Sequence, residues 1–286
     1  MSAPTLTWVI LTMGNRPDEL RRAIASALHD DPGVAVVVVA NGAGPIRVDD
    51  ERVDVVELAE NVGAPGGRDV AVRRVRSDLV GFLDDDAELA PGATARIRGA
   101  FAREGRLGAV TLHLVDEDGR TQRRHLPRIG ASSADVGGEV ALLLEGACAM
   151  RRSAYLDAGG YFTDLIYAHE AVELCWRLVD RGWAIRYLAD VEVLHPRTPI
   201  GRHPDGWRRT GRNRVWIARR TLPWPVAAVH VVAWLVEGAR RAPAGEPRRS
   251  YLAGWVEGWQ TGSFDRAPIG WRTVWRLTRL GRPPVV

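Results

Sequence analysis

The 286-residue sequence contains no lysine, two cysteines and three methionines. Every basic side chain other than histidine is therefore arginine, which fits a GC-rich genome and gives no reason by itself to infer an anion site. Cys148 and Cys175 lack metal-binding spacing and suggest a reducing compartment. The first residues lack a basic segment before their short apolar stretch, so we expect no signal peptide.

The sequence also lacks an uninterrupted apolar run that could span a bilayer. The strongest candidate, residues 222–239, is broken by Pro223, Pro225, His230 and Glu237. We therefore predict at most peripheral membrane contact. With 46% hydrophobic and 26% charged residues, the composition is ordinary for a soluble globular protein with a large core.

Charge is distributed unevenly along the chain. Residues 1–196 carry 22 arginines against 30 acids, whereas residues 197–286 carry 17 arginines against five acids. The second segment also holds eight of the 11 tryptophans in the sequence. We predict a boundary after residue 198 and a basic, tryptophan-rich helical extension over 199–286. This extension either packs on the main domain, which we favour, or meets anionic lipid headgroups.

Apolar runs alternate with helical patterns in the first 90 residues. The predicted strands cover residues 6–12, 34–39, 53–58 and 79–83. Helices are predicted from Pro17 and over residues 69–76. This alternation favours a mostly parallel α/β sheet, whose ligands bind beyond the carboxyl ends of the strands.

A dinucleotide-dependent dehydrogenase would need a Gly-x-Gly-x-x-Gly turn after an early strand. Only Gly14 follows the first predicted strand, and the later cluster of Gly63, Gly66 and Gly67 has a different spacing. The sequence therefore argues against this class of α/β enzyme.

Three consecutive aspartates, Asp84, Asp85 and Asp86, end the apolar run over residues 79–83. Because side chains alternate along an extended chain, Asp84 and Asp86 are expected on the same side. Such carboxylates suit Mg²⁺ or Mn²⁺, which often bridges to a substrate phosphate. The pattern therefore predicts a metal-held diphosphate, with an acidic turn on a solvated surface as the alternative.

A second group of titratable residues follows in the later part of the main domain. A helix is predicted from Tyr167, and Glu170, Glu173 and Arg177 share one of its faces. A glutamate there can act as a general base in a closed cleft, or can merely stabilise the helix start. His195 follows another predicted strand, where a histidine is either structural or a ligand.

The order of these motifs resembles that of the family 2 glycosyltransferases, which are inverting enzymes with the GT-A fold. The matching segments are Ala40-Asn41-Gly42, Asn61-x-Gly63-x-x-Gly66-Gly67-Arg68-Asp69, Leu83-Asp84-Asp85-Asp86, Gly159-Gly160-Tyr161, His169-Glu170 and His195. Asn213-Arg214-x-Trp216 resembles a segment found after the core of actinobacterial members. The resemblance covers residues 5–225 and implies a GT-A α/β domain with a C-terminal helical extension.

The resemblance implies a metal-dependent hexosyl- or deoxyhexosyltransferase that uses a UDP-, dTDP- or GDP-sugar. The implied acceptor is a hydroxyl of a saccharide, lipid-linked or small-molecule compound, in cell-wall, polysaccharide or glycoconjugate synthesis, and no nucleic acid is involved. Residues 1–110 would bind the nucleotide-sugar and residues 111–198 the acceptor. The expected location is the cytoplasm, with peripheral contact at the inner face of the plasma membrane.

The resemblance also implies roles for individual residues. Asp84, Asp86 and His195 would hold Mn²⁺ or Mg²⁺, and Glu170, with Glu173 as second choice, would be the catalytic base. The implied nucleotide-sugar contacts are Thr12, Asn15, Arg16, Asn41, Asn61, Gly63, Arg68, Asp84 and Asp85.

The sequence departs from the family pattern at three positions. Ala40 replaces an acid that helps to hold the nucleotide, Ala171 replaces an acid often credited as the base, and Asp69 replaces an asparagine. These departures keep open a catalytically impaired protein that binds a nucleotide-sugar or a partner. A nucleotidyltransferase would need a basic, glycine-rich loop near the first strand, for which residues 12–17 are a poor match.

Overall fold

The computed structural model describes residues 3–127, 133–197 and 205–285. The strands in these ranges are β1 (Leu6–Thr12), β2 (Ala35–Asn41), β3 (Val53–Leu58), β4 (Leu79–Asp84), β5 (Glu88–Leu89), β6 (Leu107–Val115), β7 (Gly138–Glu139), β8 (Ala147–Arg151) and β9 (Ala184–Leu194). The helices are α1 (Pro17–Asp30), α2 (Gly63–Arg74), α3 (Ala93–Arg103), α4 (Arg152–Asp157), α5 (Glu170–Asp180), α6 (Gly206–Thr221), α7 (Trp224–Arg241), α8 (Glu246–Gln260) and α9 (Trp271–Arg279).

These strands form one mixed sheet in the order β3-β2-β1-β4-β8-β6-β9-β5, with β7 paired to β9. Strands β1 to β4 pair in parallel, β8 runs antiparallel to both β4 and β6, and β9 is parallel to β6. Because two antiparallel steps restore the original direction, β9 runs the same way as β4. The carboxyl ends of β1, β2, β4 and β9 and the amino end of β8 therefore meet at one edge of the sheet.

The alternation of side chains along the central strands divides the core between two layers. Trp8 and Ile10 of β1 pack on one face with α1 and α3, whereas Val9 packs on the other face with α2 and α5. Both layers exclude water, so the sheet forms a rigid platform for residues at its edge.

The α/β fold and the C-terminal helices predicted from the sequence are confirmed, with local corrections. Helix α2 begins at Gly63 rather than near Asp69, so the glycine-rich segment, expected to be a loop, forms the first turns of a helix. A Cβ atom on Gly67 would lie 2.4 Å from Cδ1 of Leu11, so the glycine allows this helix to approach β1 closely. Helix α5 begins at Glu170, three residues after the predicted start at Tyr167.

The C-terminal helices share the core of the main domain. Val215, Ile217, Val231 and Leu277 belong to the same buried cluster as Val9 of the central strand. The boundary predicted after residue 198 lies outside the described residues. Within the part of the chain that the structure describes, every helix is too short or too polar to cross a membrane.

Candidate active site

Asp84, Asp86 and His195 converge at the carboxyl edge of the sheet. Nε2 of His195 lies 3.5 Å from Oδ2 of Asp84 and 3.4 Å from Oδ1 of Asp86. One potential ligand atom from each residue lies within 4.8 Å of the other two. Strand β4 ends at Asp84, so Asp86 reaches this cluster from a turn rather than through the strand alternation expected from the sequence.

The orientation of His195 suits a cation. Its Nδ1 lies 2.8 Å from the carbonyl oxygen of Pro196, which can only accept, so Nδ1 carries a hydrogen. The Nε2 lone pair of the neutral ring then faces two carboxylates, an arrangement that needs a proton or a metal ion between the three groups. Burial disfavours the imidazolium, but a hydrogen bond to Asp84 and the charges of Asp84 and Asp86 outweigh burial and raise the pKa of His195.

Arg68 joins the cluster to a second pair of acids. Its guanidinium lies 3.1 Å from Asp84 and 3.4 Å from Glu145, and its side chain is 8% exposed. Burial opposes the charge of Arg68, yet the carboxylates of Glu145 and Asp84 raise its pKa above the ordinary value. Gly146 permits this packing, because a Cβ atom there would lie 2.1 Å from Oδ2 of Asp84.

Glu145 and Glu170 form a pair of neighbouring carboxyl groups, each with a buried oxygen atom that has no hydrogen-bond partner among the described residues. Burial raises the pKa of both groups, and the charge of Glu170 raises that of Glu145 further. Two such neighbouring carboxyls share a proton and titrate as a unit. Oε2 of Glu170 therefore keeps an unused capacity to accept a hydrogen bond or a proton.

The segment before Glu170 is strained. Ile166, Ala168 and His169 all have positive φ, between 61° and 75°, where non-glycine residues are disfavoured. Nδ2 of Asn213 in α6 lies 3.1, 2.7 and 2.9 Å from the carbonyl oxygens of Leu165, Tyr167 and Ala168, respectively. The C-terminal extension therefore holds the segment that leads into α5.

Glu173, expected as the second choice for the base, has a different environment. Its side chain is fully buried and bound by three side chains: Arg177, whose Nε lies 2.8 Å away, Arg220, and Thr221, whose Oγ1 lies 2.9 Å away. These bonds tie α5 to α6 and leave no room for a substrate hydroxyl. This environment conflicts with a role for Glu173 as a base.

Two residues from the first half, Thr12 and Arg16, hold the remaining aspartate, Asp85. Oγ1 of Thr12 donates to Asp85 at 2.7 Å, and Arg16 contacts both Asp85 and Asp86. Burial raises the pKa of Asp85, while the bonds from Thr12 and Arg16 oppose the shift. Asn15 is exposed beside this group.

Asn41, Asn61 and Gly63 form a second unit, at the end of β2. Nδ2 of Asn41 donates to Oδ1 of Asn61 at 3.0 Å and to the carbonyl of Gly63 at 3.2 Å. Oδ1 of Asn61 also accepts from the amide of Gly63 at 2.8 Å. These amides shape the start of α2 and, through it, position Arg68.

Sequence reasoning assigned no role to Glu145. The signal available was its place in Glu145-Gly146-Ala147, directly before a strand. Because β8 is antiparallel, the residue before it reaches the same edge as the residues that follow the parallel strands. A rule based on carboxyl ends alone therefore overlooks Glu145.

The chain is similar to proteins that handle activated sugars. It is 27% identical over 232 residues to the pre-mycofactocin glycosyltransferase of Mycobacterium tuberculosis, and the match covers 75% of this chain and 45% of that protein. The chain thus aligns with less than half of this curated relative's length.

Solved structures share the fold at low identity. The crystal structure of GalNAc-T7 with UDP, GalNAc and Mn²⁺ has a TM-score of 0.65 at 15% identity, covering 92% of this chain and 55% of that one. The mannosyltransferase PcManGT of Pyrobaculum calidifontis, in complex with GDP-Man and Mn²⁺, has a TM-score of 0.57 at 17% identity, covering 92% and 77%. The chain thus has the GT-A fold. Residues 8–160, more than half of the chain, match the family model described as glycosyl transferase family 2, and the chain therefore belongs to that family.

Proposed function

We propose that this protein transfers a sugar from a nucleotide-diphosphate donor to an acceptor hydroxyl with inversion at the anomeric carbon. The observation that carries the proposal is the convergence of Asp84, Asp86 and His195 beside the Glu145–Glu170 pair, with Arg68 between them. One edge of the sheet thus offers a cation site for a diphosphate and a carboxyl group for a hydroxyl. UDP with GalNAc in one similar structure and GDP-Man in another support a UDP- or GDP-sugar as donor, and a dTDP-sugar fits the same chemistry.

Asp84, Asp86 and His195 would hold Mn²⁺ or Mg²⁺. Two carboxylates and an imidazole nitrogen match the donors that these ions use. Because the carboxylate oxygens and Nε2 of His195 face one another, positive charge between them is needed. When bound, the ion would neutralise charge on the departing diphosphate. Thr12, Arg16 and Asp85 would line the donor side, together with Asn15, Asn41, Asn61 and Gly63.

Glu170 is the proposed base. Its Oε2 takes the proton of the acceptor hydroxyl, whose oxygen attacks the anomeric carbon from the face opposite the diphosphate. The bond from that carbon to the diphosphate oxygen breaks, and its electron pair leaves with the diphosphate. Burial keeps the pKa of Glu170 above its ordinary value, and a carboxylate in that condition takes up a proton more readily.

A thermal-shift and transfer assay tests the proposal. UDP-, GDP- and dTDP-sugars are screened with Mn²⁺, with Mg²⁺ and with chelator, and the matching donor should raise Tm only when the metal is present. Asp86→Asn should remove this metal-dependent shift and sugar transfer, while the exposed control Asp18→Asn keeps both. Full transfer by Asp86→Asn, or in excess chelator, contradicts metal dependence. Donor binding without transfer or hydrolysis would favour the impaired binding protein.

We also propose peripheral membrane contact through the C-terminal helices. Val229, Val232 and Val236 of α7 are 56%, 61% and 64% exposed, and their spacing puts them on one helix face. Trp271 and Trp275, one turn apart on α9, are 54% and 62% exposed. Exposed valines and indoles on a segment rich in arginine suit an anionic lipid surface.

A further inference from the structure

A cavity of about 240 Å³ lies between α5, α6, α7 and the C-terminal segment. Its lining does not include Asp84, Asp86 or His195, which are called the acidic cluster below. Its walls include three arginines, Arg214, Arg241 and Arg282, beside the indole rings of Trp176 and Trp234. Such a concentration of positive charge around an enclosed space calls for negative charge nearby.

Arg214 is a buried cation in the wall of this cavity, without a counter-ion among the residues that the structure describes. The residue is 7% exposed, and its guanidinium stacks on Trp234 at 3.4 Å from the ring centroid. Among the described residues no carboxylate lies within ion-pair distance of Arg214, and its Nε has no hydrogen-bond partner. Burial, with the charges of Arg282 and Arg241, lowers the pKa of Arg214 to about 9, so the guanidinium still carries its charge at neutral pH.

The surrounding groups do not compensate this charge. Glu237 lies in the cavity wall, but its carboxylate is already held by Arg240 and Arg241, at distances of 2.8 and 2.6 Å. His169 is half-buried near Arg214, and desolvation and the charge of Arg214 lower the pKa of its ring, so it cannot offset the positive charge. Nε1 of Trp234 is a second buried donor without an acceptor among the described residues.

We propose that this cavity is a binding site for a phosphate or carboxylate group attached to a small apolar body. The oxyanion would accept from Arg214 and Trp234 and would be charge-paired with Arg214 and Arg282, while the indole walls would contact the apolar part. The site is distinct from the acidic cluster, and its existence does not depend on the proposed transfer reaction.

Isothermal titration with hexyl phosphate and with inorganic phosphate, in chelator and at constant ionic strength, tests this site. Wild type should bind both, and hexyl phosphate more tightly because its chain reaches the indole walls. Arg214→Gln should weaken binding by at least about tenfold, as expected when one partner of a buried charge pair is removed. The matched control Arg272→Gln, an exposed arginine of α9, should bind like wild type.

Measuring Tm shows whether a variant binds less because it has lost the site or because it folds poorly. Without phosphate, Arg214→Gln should have a Tm equal to or above that of wild type, because it removes an unpaired buried charge. Arg282→Gln serves as the second variant and should also weaken binding. Equal affinity of wild type, Arg214→Gln and Arg282→Gln for hexyl phosphate would overturn the proposal. An affinity of wild type for chloride equal to its affinity for phosphate would also overturn it.

Soluble phosphate esters and lipid headgroups offer the same chemistry, so a second arm uses vesicles containing phosphatidic acid. Vesicle binding that Arg214→Gln abolishes, with no binding of hexyl phosphate, identifies a lipid as the source. Hexyl phosphate binding that Arg214→Gln abolishes identifies a soluble ligand. Absence of Arg214-dependent binding in both arms contradicts the site.

Discussion

Glu145 and Glu170 bury two carboxyl groups beside a single guanidinium, that of Arg68. One positive charge can balance only one carboxylate, so the second must hold a proton or remain unfavourably charged. A group in this condition takes up a proton readily, which suits a catalytic base. The same condition lowers the stability of the folded protein at neutral pH.

The first residue-scale prediction concerns catalysis. Glu170→Gln keeps the shape of the side chain but cannot take a proton, so turnover should fall by about 10²–10⁴-fold with little change in donor affinity. Steady-state kinetics and donor titration measure the two effects. Glu173→Gln is the informative comparison. This change should lower Tm, whereas the turnover of the variant, measured at a temperature where it is folded, should stay close to that of wild type. A selective loss of turnover in Glu173→Gln would refute the assignment.

The second prediction concerns stability and pH. A carboxyl whose pKa is raised on folding gives stability that is present below its unfolded pKa, about 4.3, and is lost as pH rises through the folded pKa. Glu170→Gln removes this loss, so its Tm should exceed that of wild type at pH 7–8 and match it at pH 4. Scanning calorimetry across this range measures it. An equal Tm difference at every pH would show that Glu170 does not titrate as argued.

At the scale of elements, α6 acts on the segment before α5. Three positive-φ residues, Ile166, Ala168 and His169, cannot hold their conformation through local preferences. Asn213 supplies the missing constraint by donating to carbonyls of this segment, and the amide of Ala64 in α2 adds a bond to Ile166. The position of the Glu170 side chain therefore depends on α6, a helix that begins more than 35 residues later in the chain.

The third prediction removes this constraint. Asn213→Ala leaves buried carbonyl oxygens without donors, so the free energy of unfolding should fall by about 1–3 kcal/mol. Turnover should fall more than donor affinity, because the base loses its position while the metal cluster stays intact. Denaturant unfolding and kinetics measure the two effects. Thr210→Ala on the same helix is the control, and equal behaviour of the two variants would contradict the role of Asn213.

At the scale of the whole molecule, the C-terminal helices and the sheet share one core. The change in charge near residue 197 marks a change of surface rather than an independent folding unit, because Val215, Ile217 and Leu277 pack in the same cluster as the central strand. Removing these helices would expose that core. The extension therefore contributes to the stability of the main domain as well as to its surface.

The fourth prediction concerns that surface. Sedimentation with vesicles containing phosphatidylserine should recover the protein at low salt, and the bound fraction should fall as salt screens the arginines. Replacing Val229 and Val232 with serine should reduce binding, whereas Leu156→Ser, an exposed apolar site on the main domain, should not. Complete recovery of wild type in the supernatant at low salt would refute membrane contact.

The sequence by itself determined the elements and the metal-binding candidates. Alternation and apolar runs are local, so the positions of β1 and β3, and the end of β4 to within one residue, could be predicted from neighbouring residues alone. The order of the motifs predicted the family, which the comparisons confirm. The roles of the site residues stay predictions, although the structure brings Asp84, Asp86 and His195 together.

Tertiary structure decided which acids are available and which are already bound. Glu170 and Glu173 have the same residue type and lie one turn apart, yet one faces Glu145 and the other is held by Arg177 and Arg220. Burial and charge pairing depend on partners far along the chain, which no local pattern specifies. For the same reason the sequence does not distinguish Arg214 from the other 38 arginines. The fold does, because it buries Arg214 without a counter-ion among the described residues.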